Sequence, residues 1–214
     1  MFNRRHQDDT CIALLATAAV ATVSAGRASA SASTFAYTIS NTTAVTLGNP
    51  PFTLGFQIVT TKALKASGFG FFDSGLDGFA ESHDIGLFDA RGNLIESGTV
   101  AAGTGSPLDG AFRTVAFAPI TLAAGAYEVG ALYANGADPV LFPGQASNFV
   151  LAPGIASLRA SYAFGGTLID PTTVQGGIGY FGPNLVLSVV PEPGMFGLIA
   201  ASLVALAARR RARG

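Results

Sequence analysis

Cysteine is almost missing from this chain: Cys11 is the only one. It lies in a segment expected to be removed, so the mature protein is expected to hold no thiol nucleophile, no disulfide and no Cys-based metal site. Stability must then come from the core alone, although export permits disulfides. Tryptophan is absent, and histidine occurs only at His6 and His83. A single histidine outside the leader, without cysteine, cannot build the usual zinc set. Charge is also scarce, at 12% of residues against roughly 25% in ordinary soluble domains.

The charge that is present is unevenly placed. Arg4, Arg5 and Arg27 lie near the N-terminus, and Arg209, Arg210, Arg211 and Arg213 lie at the C-terminus. Between Ser31 and Val190 only Lys62, Lys65, Arg91, Arg113 and Arg159 are basic, against ten acidic residues. An acidic domain with no basic face is not expected to bind nucleic acid, because phosphates need a cationic surface.

The two ends read as addresses. Arg4, Arg5 and His6 form a basic start, Cys11–Val23 is a short apolar run, and Ala28-Ser29-Ala30 has the small-x-small cleavage pattern. Residues 1–30 are therefore expected to be a signal helix cut by signal peptidase after Ala30. The run is shorter than the ~20 residues a bilayer span needs, which argues against a permanent anchor. At the other end, Pro191-Glu192-Pro193 precedes an apolar run over 194–208 and an Arg cluster over 209–213. Prolines break a preceding element, the apolar run suits a transmembrane helix of marginal length, and the arginines hold its end on the cytoplasmic side. A marginal span suits a temporary stop in the inner membrane.

Glycine (27) and Phe (16) dominate the middle, and its pattern is β. Strands are expected over Phe35–Asn41, Phe52–Thr60, Leu64–Phe72, Asp84–Asp89, Leu94–Val100, Phe112–Ala118 and Ala126–Tyr133, with more from Phe149–Leu151, Ala156–Phe164 and Leu185–Val190. Ala90-Arg91-Gly92-Asn93 reads as a hairpin turn. Gly/Pro/Asn/Asp-rich turns separate the runs, and no amphipathic helix interrupts them. The expected fold is an all-β sandwich over 31–190, with the tail over 191–214.

Candidate chemistry is thin. Asp73-Ser74-Gly75-Leu76-Asp77-Gly78 places carboxylates in a Gly-rich loop, with Glu81, His83 and Asp84 close behind. Asp73, Asp77, His83 and Asp84 are thus candidate metal or ligand residues, with Ca²⁺ the matching ion because it takes oxygen ligands from flexible loops. The competing reading is a turn whose Asp and Gly residues serve backbone geometry. Gly177–Gly182 matches G-x-G-x-x-G, but Pro183-Asn184 and an apolar β-like run follow instead of a helix, which excludes dinucleotide binding. No nucleophile elbow, phosphate loop or H-E-x-x-H is present, so no catalytic residue is named. Tyr37, Tyr127, Tyr133, Tyr162 and Tyr180 are candidates for a sugar-stacking platform, though aromatics in alternating strands usually form core.

The three-part tail, Pro191 to Arg213, resembles the PEP-CTERM sorting signal of exopolysaccharide-producing Gram-negative bacteria. The resemblance implies that Pro191, Glu192 and Pro193 are recognised by exosortase, a membrane-embedded cysteine protease. A second likeness covers Leu54 to Tyr133, where LGFQI, GFGFFDSGLDGFAESHDIGLFDARGNLI and FRTVAFAPITLAAGAYEVGALY resemble a β-sandwich domain recurring in such proteins. That domain is similar to jelly-roll modules of the carbohydrate-binding type. Together these imply a non-enzymatic cell-surface or extracellular-matrix protein, processed by exosortase and placed with polysaccharide in a biofilm. The alternatives are a carbohydrate- or calcium-binding module and, further off, a hydrolase acting on polysaccharide.

Overall fold

The computed structural model describes residues 32–42, 45–46, 51–142, 146–175 and 179–190. Among them every regular element is a strand: β1 (Thr34–Phe35), β2 (Tyr37–Thr42), β3 (Phe52–Thr60), β4 (Leu64–Phe72), β5 (His83–Asp89), β6 (Leu94–Val100), β7 (Leu108–Asp109), β8 (Phe112–Leu122), β9 (Gly125–Tyr133), β10 (Ala146–Leu151), β11 (Ile155–Phe164), β12 (Thr173–Gln175) and β13 (Pro183–Val189). The expected all-β class is met. The expected signal helix over 1–30 and membrane helix over 194–208 lie outside the described residues.

Two sheets carry the fold. One runs β12-β11-β3-β9-β5-β6 and the other β1-β13-β4-β8-β7, while β2 pairs with β10. Every pairing is antiparallel. The chain moves between sheets at nearly each turn: β3 lies in the first, β4 in the second, β5 and β6 in the first, β8 in the second and β9 in the first. Each sheet therefore needs an apolar face, and alternation supplies it. In β3, Phe52, Leu54, Phe56 and Ile58 are buried in the core, and Tyr37 meets Phe56 edge-on at 5.3 Å between ring centres.

Strand β4 changes its inward parity midway. Leu64 and Ala66 belong to the core, and so do Phe69 and Phe71. A register shift against β8 falls between Ala66 and Gly68. An extra residue at such a bulge swaps the faces of everything after it. Past the bulge, Phe69 packs on Phe117 of β8 at 4.9 Å and lies against Gly98 of β6 in the opposite sheet.

The six-stranded sheet is unusual on its outer side. Gly55 of β3, Gly130 of β9 and Gly86 of β5 are direct cross-strand neighbours, with Ser161 and Ser97 extending the row. A Cβ on Gly55 would overlap the Val129 carbonyl oxygen, so only glycine allows this close approach. Segment 165–172, between β11 and β12, lies across the row. Pro171 is buried and would sit 3.1 Å from a Cβ on Gly130, and the Ile169 amide donates to Thr53 Oγ1 at 3.3 Å.

Candidate functional site

Two polar clusters lie where loop 73–83 meets residues 103–106 on one side and the segment after β9 on the other. The first is built on Asp73 and Arg113. Asp73 follows β4 and is 1% exposed; Arg113 is the second residue of β8 and is 5% exposed. The Arg113 Nε donates to Asp73 Oδ2 at 2.7 Å. Its other nitrogens donate to the carbonyls of Thr104, Ser106 and Leu76. Asp73 also accepts the Gly78 amide on both oxygens. Gly78 has φ of +96° and a Cβ there would press on Gly103, so this residue must be glycine. The Asp-Gly loop is thus wound around a guanidinium, which ties three chain segments together.

The second feature is a reciprocal clasp. Asp138 accepts the amides of Ala80 and Glu81, while Glu81 accepts the amides of Asn135 and Ala137 and the Asn135 side chain. Each loop's carboxylate therefore satisfies the other loop's backbone donors. His83 completes it: Nε2 lies 2.9 Å from Asp138 Oδ2 and Nδ1 lies 3.1 Å from the Leu132 carbonyl. Both ring nitrogens thus have an oxygen partner within hydrogen-bond distance. The ring stacks on Phe71 at 3.8 Å with planes 9° apart, which fixes its orientation. Burial works to raise the Asp138 carboxyl, but hydrogen bonds from His83, Ala80 and Glu81 together outweigh it, and the net shift is below the ordinary 3.8.

The candidate residues Asp73, Asp77, His83 and Asp84 are not brought together. Asp73 is committed to Arg113, Asp77 is exposed, and Asp84 accepts from Thr99 on the adjacent strand. Among the described residues the grouping with metal-ligand atoms is Glu81, His83 and Asp138, all within 4.8 Å of one another. The arrangement is compatible with a divalent ion, yet each of these carboxylates already accepts hydrogen bonds and both imidazole nitrogens are occupied. Glu81 stands close behind the Asp-Gly loop in sequence but was not placed among the candidate ligands, and Asp138 was missed because it lies 55 residues from His83.

A third feature is an open cleft of about 200 Å³ lined by Phe52, Leu54, Phe142, Tyr162, Phe164, Gln175 and Tyr180. The Phe164 ring is 73% exposed. Tyr162 meets Phe164 at 5.5 Å and Tyr180 at 6.2 Å, both edge-on, and the Tyr180 hydroxyl bonds Gln175. Of the five tyrosines named from sequence, Tyr162 and Tyr180 line the cleft. Tyr37 and Tyr133 are fully buried in the core, and the Tyr127 hydroxyl donates to the Ala123 carbonyl. Within the G-x-G-x-x-G run, Gly177 and Ile178 lie outside the described residues, and Gly182 leads into strand β13, not a helix.

Pro191, Glu192 and Pro193, and Ala28 and Ala30 at the expected leader cleavage site, lie outside the described residues. Among the described residues no helix is long and apolar enough to cross a membrane. Residues 189–211 match the PEP-CTERM protein-sorting motif. No curated protein and no solved structure matches the chain. The motif begins at the last residue of β13. It implies an exported protein that passes through a membrane-anchored intermediate and is processed by an exosortase.

Proposed function

We propose that the chain is a non-enzymatic matrix protein of a Gram-negative surface, deposited with exopolysaccharide in a biofilm once exosortase has processed its tail. The sorting motif abutting the final strand carries this reading. On it, the β domain is a jelly-roll-like sandwich whose ionisable clusters serve the fold. Asp73, Arg113, Glu81, His83 and Asp138 each hold loops in place, which supports a structural role over catalysis. In the native host the intact mass is expected to show cuts near Ala30 and near Pro193, with the product outside the cell. Deleting 191–213 is expected to abolish the second cut and the surface location; unchanged processing and location would sink the proposal.

The cleft favours a second reading, a saccharide-binding module within the same setting. Its lining carries aromatic rings, an amide and hydroxyls but no charged side chain, and sugars present apolar C–H faces rimmed by hydroxyls. Within an acidic domain this suits a neutral glycan. Affinity electrophoresis of the full chain through gels cast with neutral glucans or mannans is expected to show retardation. Phe164→Ala and Tyr162→Ala are each expected to weaken it by about five- to tenfold, the exposed Phe164→Ala without changing the melting temperature. Equal migration with and without polysaccharide would end this reading.

A further inference from the structure

We propose that segment 165–172 is a pH-sensitive strap, closed while the Glu128 carboxyl carries a proton and loosened when that proton leaves. The geometry comes first. The segment crosses the outer face of the six-stranded sheet and is fixed by the Gly165 amide to the Pro51 carbonyl, the Ile169 amide to Thr53 Oγ1, and Pro171 against Gly130. Of these three attachments among the described residues, two are to β3 and β9.

Beneath the strap, acidic groups meet with little to neutralise them. Glu128 of β9 is 8% exposed, lying between Gln57 of β3 and Phe88 of β5 in the cross-strand row. It accepts from Gln57 at 2.8 Å and from Ser161 at 2.9 Å. Asp170 comes down from the strap, its Oδ1 buried with no hydrogen-bond partner and its Oδ2 where a Cβ on Gly92 would lie within 2.8 Å. Asp89, the last residue of β5 before the β5–β6 turn, adds a third negative charge felt by Asp170. The other charged groups on this face are Arg91 on that turn, Arg159 of β11, which is exposed beside Gln57, and Asp84 further along β5, which is paired with Thr99.

The energetics follow from burial. Desolvation raises the Glu128 carboxyl to about 7, with the Asp170 charge adding to it against the hydrogen bonds from Ser161 and Gln57. Desolvation first, and the Asp89 charge next, also raise Asp170. A raised acid is stable in the folded state protonated. The unfolded or opened state releases its proton near the ordinary 4.5, so closure weakens as pH rises from about 4.5 to about 7 and levels off above. Phe164, at one end of the strap, and Gln175, just beyond the other, both line the aromatic cleft. Opening would therefore reshape the cleft, whatever that cleft binds.

Hydrogen exchange of the full chain between pH 5.5 and 8.5, corrected for the intrinsic pH dependence of exchange, tests this. Protection of the Gly165 and Ile169 amides is expected to fall by up to about thirtyfold, the effect of one proton over the roughly 1.5 units between pH 5.5 and 7, while staying below that of the Ile58 amide in the sheet. Glu128→Gln keeps the shape and the bond from Gln57, reverses the one to Ser161, whose hydroxyl can accept, and is expected to flatten the profile. Asp170→Asn, which removes the opposing charge, is expected to halve the fall or more. Wild-type protection that is constant with pH, or an equal fall in Glu128→Gln, would overturn the strap.

Discussion

Asp73→Ala is expected to destabilise the domain by about 3–5 kcal/mol, the range for breaking one side of a buried ion pair. The substitution leaves the Arg113 guanidinium 5% exposed without its carboxylate. The carbonyls of Thr104, Ser106 and Leu76 still accept from it, but none carries a compensating charge. The Gly78 amide also loses its acceptor. Urea unfolding of the full chain should show a lower midpoint with the slope unchanged. Asp77→Ala, at an exposed turn position, should stay within about 0.5 kcal/mol of wild type. The double variant Asp73→Ala with Arg113→Ala should lose less than the sum of the single losses, by about 1–3 kcal/mol, because the residues share one interaction. A calcium loop would behave otherwise: Asp77 would matter as much as Asp73, and a chelator would lower the midpoint of wild type alone. Equal losses at Asp73 and Asp77 would remove the guanidinium from the centre of this loop.

The strands were largely legible because each rests on local chemistry. The runs Phe52–Thr60, Leu64–Phe72 and Leu94–Val100 are strands with those bounds, since period-2 alternation and flanking turn residues lie within a few positions. The short edge strands β7 and β12 were not legible, because two or three exposed residues carry no pattern of their own. The bulge in β4 was hidden for another reason: its partner β8 sets it, and no residue in Leu64–Phe72 announces a change of face. The ion pairs were invisible for the same reason at longer range. His83 was evident as the lone histidine of the domain, but its carboxylates come from a preceding loop and from a segment beyond β9. A usable signal did exist. Arg113 and Glu128 are charged residues inside apolar strands of a charge-poor chain, and a buried charge requires a partner. That demand could be read from sequence, though not the identity of Asp73 for Arg113 or of Gln57 and Ser161 for Glu128.

Asp138→Ala is expected to be the other severe loss, on the order of 3–5 kcal/mol. One carboxylate serves three donors, the buried Glu81 amide and His83 Nε2 and the half-buried amide of Ala80. Removing it orphans all of them, each at about 1–3 kcal/mol. It also frees the loop carrying Asn135 and Ala137, whose amides stay on Glu81. Asp138→Asn keeps one acceptor oxygen and should lose roughly half as much. Acid provides the independent check. The folded Asp138 carboxyl sits below its ordinary 3.8, so its contribution is whole above about pH 4 and vanishes as pH falls through the folded value. Wild type should therefore lose stability more steeply than Asp138→Asn below pH 4, and the two curves should converge in strong acid. Millimolar Ca²⁺ or Zn²⁺ tests the competing role for Glu81, His83 and Asp138, because an ion binding the folded state raises the melting temperature with concentration. A clasp predicts no such rise, since the ion would have to displace hydrogen bonds already made. A metal-dependent rise lost in Asp138→Ala would turn the clasp into a metal site and give His83 a ligand's role.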